Sequence, residues 1–357
     1  MLPPRKKAPR QVDPAQARSR ARGALLGLSV GDALGTTHEF RSLPAPSFPQ
    51  LTTGTLTEMR GGGPFQVKPG QVTDDTQMAC CIAGVLRSVG RYDADEVLKQ
   101  YLAWQPIAFD IGNLTRQVLD LARGGVHRER AALEAWIESG RKSAGNGSLM
   151  RTAPIGVFFA QDQKARVQAS LEDSALTHFD PRCQLACVVL NGAIAAALVS
   201  VDPPTPKLLL AGALADLSVG GAQLGRLAKD HVQHVRDALE CIRADLAAAQ
   251  EDDPKLYGPE LHLLSHAGFV RVGLRLAFWE LFHTQSFEEA LVDVVNRGGD
   301  SDTNGAITGA LLGALYGEEA IPERWRTCVL EVLLAPRGPF ADVYHPRKLL
   351  ELVPSDG

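Results

Sequence analysis

The sequence predicts an all-α fold, and three observations carry that prediction. Apolar residues recur at helical spacing through most of the 357 residues, with many Ala and Leu among them. Runs that alternate apolar and polar residues, as half-buried strands do, are absent. Glycine falls at every fourth position in two segments, Gly23, Gly27, Gly31, Gly35 and Gly305, Gly309, Gly313, Gly317, a spacing that lays them along one stripe of a helix.

The helices expected in chain order are Gly23–Leu34, Thr76–Val89, Ala94–Trp104, Asn113–Arg123, Glu129–Glu138 and Asp180–Ser200, then Pro206–Leu217, Val232–Gln250, Gly268–His283, Ser286–Val295 and Asn304–Leu315. Asp180-Pro181 offers an N-cap followed by proline at the first helical position. Ser286 with Glu289 three residues on fits a capping box. Residues 40–72 are rich in Gly, Pro and Thr and read as one long loop, of the kind that often carries function. Residues 201–260 are Ala/Leu-rich, lack a notable acid motif and read as peripheral helices or an insertion.

Composition sets the class. The chain is 45% hydrophobic and 22% charged, an ordinary globular balance. A single domain over residues 23–357 is expected, with the helical region near 200–260 at its periphery. The net charge of -4 gives no reason to expect a nucleic-acid partner. The six cysteines form no C-x-x-C pair and no zinc spacing, so reduced, mostly buried thiols are expected. Without a secretory signal or a long uncharged apolar run, the chain reads as cytoplasmic and independent of membrane. Residues 1–22 hold Arg5, Lys6, Lys7, Arg10, Arg18, Arg20 and Arg22 among prolines and read as a basic, flexible extension.

An interior glycine costs about 1 kcal/mol against alanine, so two ladders of them imply a return through close backbone approach. Asp32 interrupts the first ladder, which argues for a buried helix of a soluble core rather than a membrane span. The expectation is that the two ladders share one core and lie against each other. Acids around 32–39 would then meet acids around 300–302.

Three short stretches concentrate oxygen ligands: Asp32 to Glu39, Thr73-Asp74-Asp75-Thr76, and Asp300-Ser301-Asp302-Thr303. Carboxylates with hydroxyls and no sulfur suit a hard cation such as Mg2+ or Mn2+. The second and third sit at expected helix starts, where neighbouring side chains can converge. Capping alone would explain either one; three such clusters favour metal. No EF-hand, Walker A or dinucleotide fingerprint is present. In Gly145-Asn146-Gly147-Ser148-Leu149-Met150-Arg151, small residues would let backbone N–H groups approach a phosphate. Thr177-His178-Phe179-Asp180-Pro181 places a histidine just before a helix cap.

In their order and number these motifs resemble the ADP-ribosylglycohydrolase family, in particular its bacterial branch around dinitrogenase-reductase-activating glycohydrolase. The resemblance runs from about Arg22 to Tyr316 and also takes in Gly61–Phe65 and Asp110–Asn113. It implies an orthogonal multi-helix bundle with a dimetal cleft. Thr73, Asp74, Asp75 and Asp302 would bind one ion, and Glu39, Asp300, Asp302 and Thr303 the other, with Asp302 bridging. Asp32 would support the site or a bound water, and Asn113 would face the substrate. Gly145, Asn146, Gly147 and Ser148 would line the diphosphate site, with His178 nearby. Phe269 would stack on adenine, at a position often held by tyrosine.

The implied reaction is cleavage at the anomeric carbon of the distal ribose, with Glu39, Asp110 and Asp75 as the acids of the chemistry. ADP-ribosyl-arginine on a protein is the expected substrate and ADP-ribose the product. One version makes the chain an immunity protein against an ADP-ribosyltransferase toxin. The alternatives are a hydrolase of serine-linked or O-acetyl ADP-ribose, and a non-catalytic ADP-ribose or toxin binder.

Overall fold

The structure is a computed structural model and describes residues 12–332 and 341–353. Fifteen α-helices account for most of the described residues. They are α1 (Pro14–Gly35), α2 (Asp74–Val89), α3 (Ala94–Trp104), α4 (Asn113–Arg123), α5 (Arg128–Glu138), α6 (Ala153–Phe158), α7 (Gln163–Ala175) and α8 (Pro181–Leu198). After these come α9 (Pro206–Leu227), α10 (Val232–Ala248), α11 (Val270–His283), α12 (Phe287–Asn296), α13 (Ser301–Tyr316), α14 (Glu323–Glu331) and α15 (Pro346–Leu350). A two-residue ribbon, β1 (Arg41–Ser42) with β2 (Gly298–Gly299), is antiparallel.

Caps explain many of the helix starts. Asp180 accepts from the Arg182 N–H with Pro181 in the first turn, and Ser286 accepts from the Glu289 N–H. Asp93, Asp162 and Thr205 do the same for α3, α7 and α9. Four helices escape the sequence pattern: α6, α7, α14 and α15. Three of them are short, and α7 is mostly polar, so neither offers a long apolar period.

The axis of the molecule is the pair α1 and α13, antiparallel and in backbone contact. A Cβ on Gly23, Gly27 or Gly31 would fall within 3.0 Å of the carbonyl oxygen of Gly313, Gly309 or Gly305 respectively. The reverse holds from α13, so the two ladders mesh as expected. Gly35 closes against Ser301 and Asp302, and the Ser301 hydroxyl donates to the Gly35 carbonyl at 2.7 Å. The end of α1 is thereby fixed to the start of α13.

The helix α1 begins at Pro14, not at Gly23. Part of the basic extension is therefore core structure. Arg20 is buried and donates to the Ala197 and Ser200 carbonyls, and Arg22 pairs with Glu318 at 2.6 Å. Arg5, Lys6, Lys7 and Arg10 lie outside the described residues.

Residues 201–260 form the helices α9 and α10, held by buried acids that the sequence did not single out. Asp216 on α9 is buried against Arg166, and Asp245 on α10 is buried between Arg271 and Arg275. These acids fasten α9 and α10 to the body of the protein. Two helices, α8 and α9, are long and apolar enough to cross a membrane by length and composition, contrary to the sequence reading. The apolar stretch of α8 is 89% buried within the protein and that of α9 39%. Four of the six free cysteines are buried, as expected.

The 40–72 loop is pinned rather than loose. The Asn296 side chain bonds both the N–H and the carbonyl of Leu56, and the Thr37 hydroxyl donates to the Gly61 carbonyl at 3.0 Å. Gly61, Gly62 and Gly63 all have positive φ, and a Cβ at Gly63 would strike the Thr36 carbonyl. This segment holds the turn that presents Glu39.

Candidate active site

Four chain segments meet at one end of the α1–α13 pair: the end of α1 with the turn after it, the N-terminus of α2, the stretch leading into α4, and the N-terminus of α13. Asp32 is the hub and is fully buried. The N–H groups of Thr73 and Thr76 donate to it, as do their hydroxyls, at 2.9 Å from Thr73 and 2.6 Å from Thr76. Every donor comes from the first turn of α2, so Asp32 locks that turn onto α1. The Thr73 hydroxyl also lies 3.0 Å from Asp75, and its single proton can serve only one of the two carboxylates.

A cleft of about 360 Å³ opens above this hub. Glu39, Asp74, Asp110, Asp300 and Asp302 line it together with Thr303, Asn113, Gly145, Asn146, Gly147 and His178, and no Arg or Lys does. One carboxylate oxygen each from Glu39, Asp110 and Asp302 lie within 4.8 Å of one another. The Asn146 amide donates to Asp300 at 2.7 Å, tying the 145–148 turn to the acids. Glu39 Oε2 and Asp75 Oδ1 are buried with no hydrogen-bond partner.

Such crowding raises the carboxyl pKa values. Burial is the largest cause throughout, and the facing acids add to it at most positions. Asp32 is pushed up to about 6, Asp74 to about 7, Glu39 to about 8 and Asp110 to about 10. Asp75 and Asp302 are also raised well above the usual carboxylate range. Oxygen-only donors, orphaned buried oxygens and a lining without a protein cation fit a bound hard cation.

A pH prediction follows. These acids hold protons in the folded protein that they lose when it unfolds, so folding stability falls as pH rises from about 4, the unfolded value. With chelator present, the melting temperature is expected to drop by several degrees between pH 5 and pH 8. Added Mg2+ or Mn2+ should raise it far more at pH 8 than at pH 5, because the ligands must be deprotonated to bind. Thermal scans at both pH values check this. A flat chelator profile with no metal effect would refute the ion site.

The expected site residues fall at different depths. Asp32, Thr73 and Asp75 do not line the cleft but sit behind it. Asp75 keeps one oxygen buried and unpartnered, and Asp32 holds the first turn of α2 in place. The Ser148 hydroxyl points into the wall, 2.9 Å from the Ser174 hydroxyl. What remains of that turn at the cleft is Gly145, Asn146 and Gly147, and the Gly147 N–H has no partner among the described residues. His178 packs against Gly145 and Gly147, and its Nδ1 lies 2.8 Å from the Thr177 hydroxyl. Burial and nearby Arg151 lower its pKa to about 3, so the ring is neutral. Phe269 stands just beyond the lining and bridges Gly145, with the Arg182 and Arg271 guanidiniums 5.3 and 6.0 Å from its ring centre.

Sequence reasoning missed the pedestal under the 145–148 turn. Arg151 is fully buried, pairs with buried Asp173 at 3.1 Å, donates to the Gly147 carbonyl and lies over the Tyr101 ring. Tyr92 and Tyr101 donate to the same Asp173. The partners of Arg151 are scattered from Met78 to Thr177, so no local pattern could reveal them. Phe40, Leu114, Thr115, Met150 and Gly268 also line the cleft without having been singled out.

The ADP-ribosylglycohydrolase family profile matches residues 13–352. The chain belongs to the ADP-ribosylglycohydrolase family. The enzyme is 30% identical over 330 residues to the ADP-ribosylarginine hydrolase Tri1 of Pseudomonas putida, covering 88% of this chain and 75% of that protein. It is 27% identical over 316 residues to the ADP-ribosyl-[dinitrogen reductase] glycohydrolase of Rhodospirillum rubrum, covering 86% and 88%. A solved structure described as an ADP-ribosylglycohydrolase-related protein complex superposes with a TM-score of 0.67 at 30% identity, covering 95% of this chain and 98% of that one. The all-α fold and the bacterial affinity expected from the motifs both hold. The enzyme is a hydrolase of glycosidic bonds to ADP-ribose, and its acid cluster is the one candidate metal site found among the described residues.

Proposed function

We propose that the enzyme releases ADP-ribose from arginine side chains of modified proteins, with two divalent cations, Mg2+ or Mn2+, held in the acid cluster. The observation that carries the reading is the convergence of Glu39, Asp110 and Asp302 within 4.8 Å at a cleft with no Arg or Lys in its lining. The printed name of the Pseudomonas relative supports the arginine linkage. Thr73, Asp74, Asp75 and Asp302 would hold one ion, and Glu39, Asp300, Asp302 and Thr303 the other.

When bound, such ions polarise ribose oxygens and a water and offset the charge that develops in the reaction. The protein's own groups do the rest. The Gly145–Gly147 turn, with the unpartnered Gly147 N–H, takes the diphosphate and is stiffened by Arg151 and His178. Water adds to the anomeric carbon as its bond to the guanidine nitrogen breaks, giving ADP-ribose and arginine. Asp110 and Glu39 face each other at the cleft and share the proton transfers, one protonating the leaving nitrogen and the other taking a proton from the water. Asp32 positions the α2 acids from behind. In the immunity version of this function, the toxin contact falls to residues before Pro14, since Arg20 and Arg22 are spent inside the fold.

A hydrolysis panel tests the proposal. Purified enzyme with Mg2+ or Mn2+ is expected to cleave ADP-ribosyl-arginine, to prefer it over serine-linked and O-acetyl ADP-ribose, and to stop when chelator is added. Cleavage of the serine or acetyl linkage alone would overturn the arginine assignment. Turnover in chelator would overturn the cation assignment.

A further inference from the structure

Phe40 is the unexplained residue of this cleft. It follows Glu39 directly, lines the cleft, and is 66% exposed. Its φ is +58°, a left-handed conformation that glycine adopts freely and a phenylalanine rarely does. The backbone is held there from both sides. The Phe40 N–H donates to the Gly299 carbonyl at 2.7 Å, and the next two residues form the ribbon with Gly298–Gly299. A strained residue that the surroundings over-determine is a candidate for function. Packing does not account for this one, because the ring makes no aromatic or cation contact among the described residues.

The two ends of the cleft differ in charge. At the Gly145–Phe269 end, two arginines already flank the aromatic ring, and the nearby Gly147 N–H has no partner among the described residues. That end suits the anionic diphosphate and its base. At the Glu39–Asp110 end the side chains are carboxylates, and Phe40 is the aromatic beside them. With ADP-ribose against the 145–148 turn and the scissile bond at the three acids, the target side chain must leave past Phe40. An exposed ring beside carboxylates is the environment that favours a planar cation over a neutral group.

We propose that Phe40 is a specificity-determining residue that stacks on the guanidinium of the target arginine. The proposal rests on the arginine reading above. Cation–π contacts of this kind are worth about 2- to 30-fold in binding.

The experiment measures KM and kcat of wild type, Phe40→Ala, Phe40→Tyr and Phe40→Gly on ADP-ribosyl-arginine, and the inhibition constant of ADP-ribose for each. Phe40→Ala and Phe40→Gly are expected to raise KM for the arginine substrate by about 3- to 30-fold, with the loss in KM rather than kcat. ADP-ribose should inhibit all four forms alike. Phe40→Tyr, which keeps the ring, should stay within about twofold of wild type. Phe40→Gly relieves the strained backbone and is expected to melt no lower than wild type, which separates loss of the ring from loss of structure. Unchanged KM in Phe40→Ala, or an equal weakening of ADP-ribose inhibition, would overturn the role. Wild type that fails on ADP-ribosyl-arginine would overturn the arginine reading itself and this proposal with it.

Discussion

Asp302→Asn is expected to cut turnover by about a thousandfold or more while the protein stays folded. Asp302 is buried at the start of α13, and one of its oxygens accepts from the Thr303 N–H at 2.9 Å. An asparagine oxygen can keep that bond. What the substitution removes is the charge, and it does so where Glu39, Asp75, Asp300 and Asp110 all raise the carboxyl's pKa. Without ions this charge works against folding; with ions it is a ligand shared by both proposed sites. The substitution should therefore leave the melting temperature in chelator equal or higher, and sharply reduce the rise produced by Mg2+ or Mn2+. Turnover and paired thermal scans check both halves. A folded Asp302→Asn protein that keeps a tenth of its activity would remove Asp302 from the centre of the site.

Gly27→Leu is expected to abolish folding, with a destabilisation above about 4 kcal/mol against a total stability of about 5–15 kcal/mol. A Cβ at Gly27 would strike the Gly309 carbonyl and press on the Phe287 ring. The obstacle is backbone, which cannot swing aside as a side chain can, so α1 and α13 would have to separate along their length. That separation would also dismantle the site, since α1 carries Asp32 and α13 carries Asp302 and Thr303. Gly84→Ala supplies the contrast. Gly84 lies inside α2 with nothing within 4 Å of its missing Cβ, so alanine should stabilise by about 0.4–1 kcal/mol. Denaturant titrations and soluble yield measure the pair. A Gly27→Leu protein as stable as wild type would mean that the two ladders do not mesh.

Much of this was legible in the chain. Period-four glycine carries its own meaning, because repeated helix-weakening residues have to be offset by close approach. Asp180-Pro181 and Ser286 with Glu289 placed helix starts within a residue of where they stand. The acid stretches gave the donor chemistry, and the motifs gave the family. Less legible were elements without a long apolar period, such as α7, and the polar first turns of α1, whose charges look like a tail until Arg20 and Arg22 meet partners far along the chain.

The sequence by itself determined the fold class, the ligand chemistry and the family, because these depend on residue type and local spacing. Which acids face the cleft was decided only by tertiary structure. Thr73, Asp74, Asp75 and Thr76 are neighbours in one motif. Yet Asp74 lines the cleft, while Thr73 and Thr76 turn inward to Asp32 and Asp75 meets the Thr73 hydroxyl, because a helical turn sends adjacent side chains about 100° apart. Ser148 turns inward to Ser174 for the same kind of reason, and Phe40 reaches the rim because the ribbon with Gly298–Gly299 holds its backbone left-handed. Direction in space belongs to the packed chain: it is fixed by contacts between residues hundreds of positions apart, and no local pattern records it.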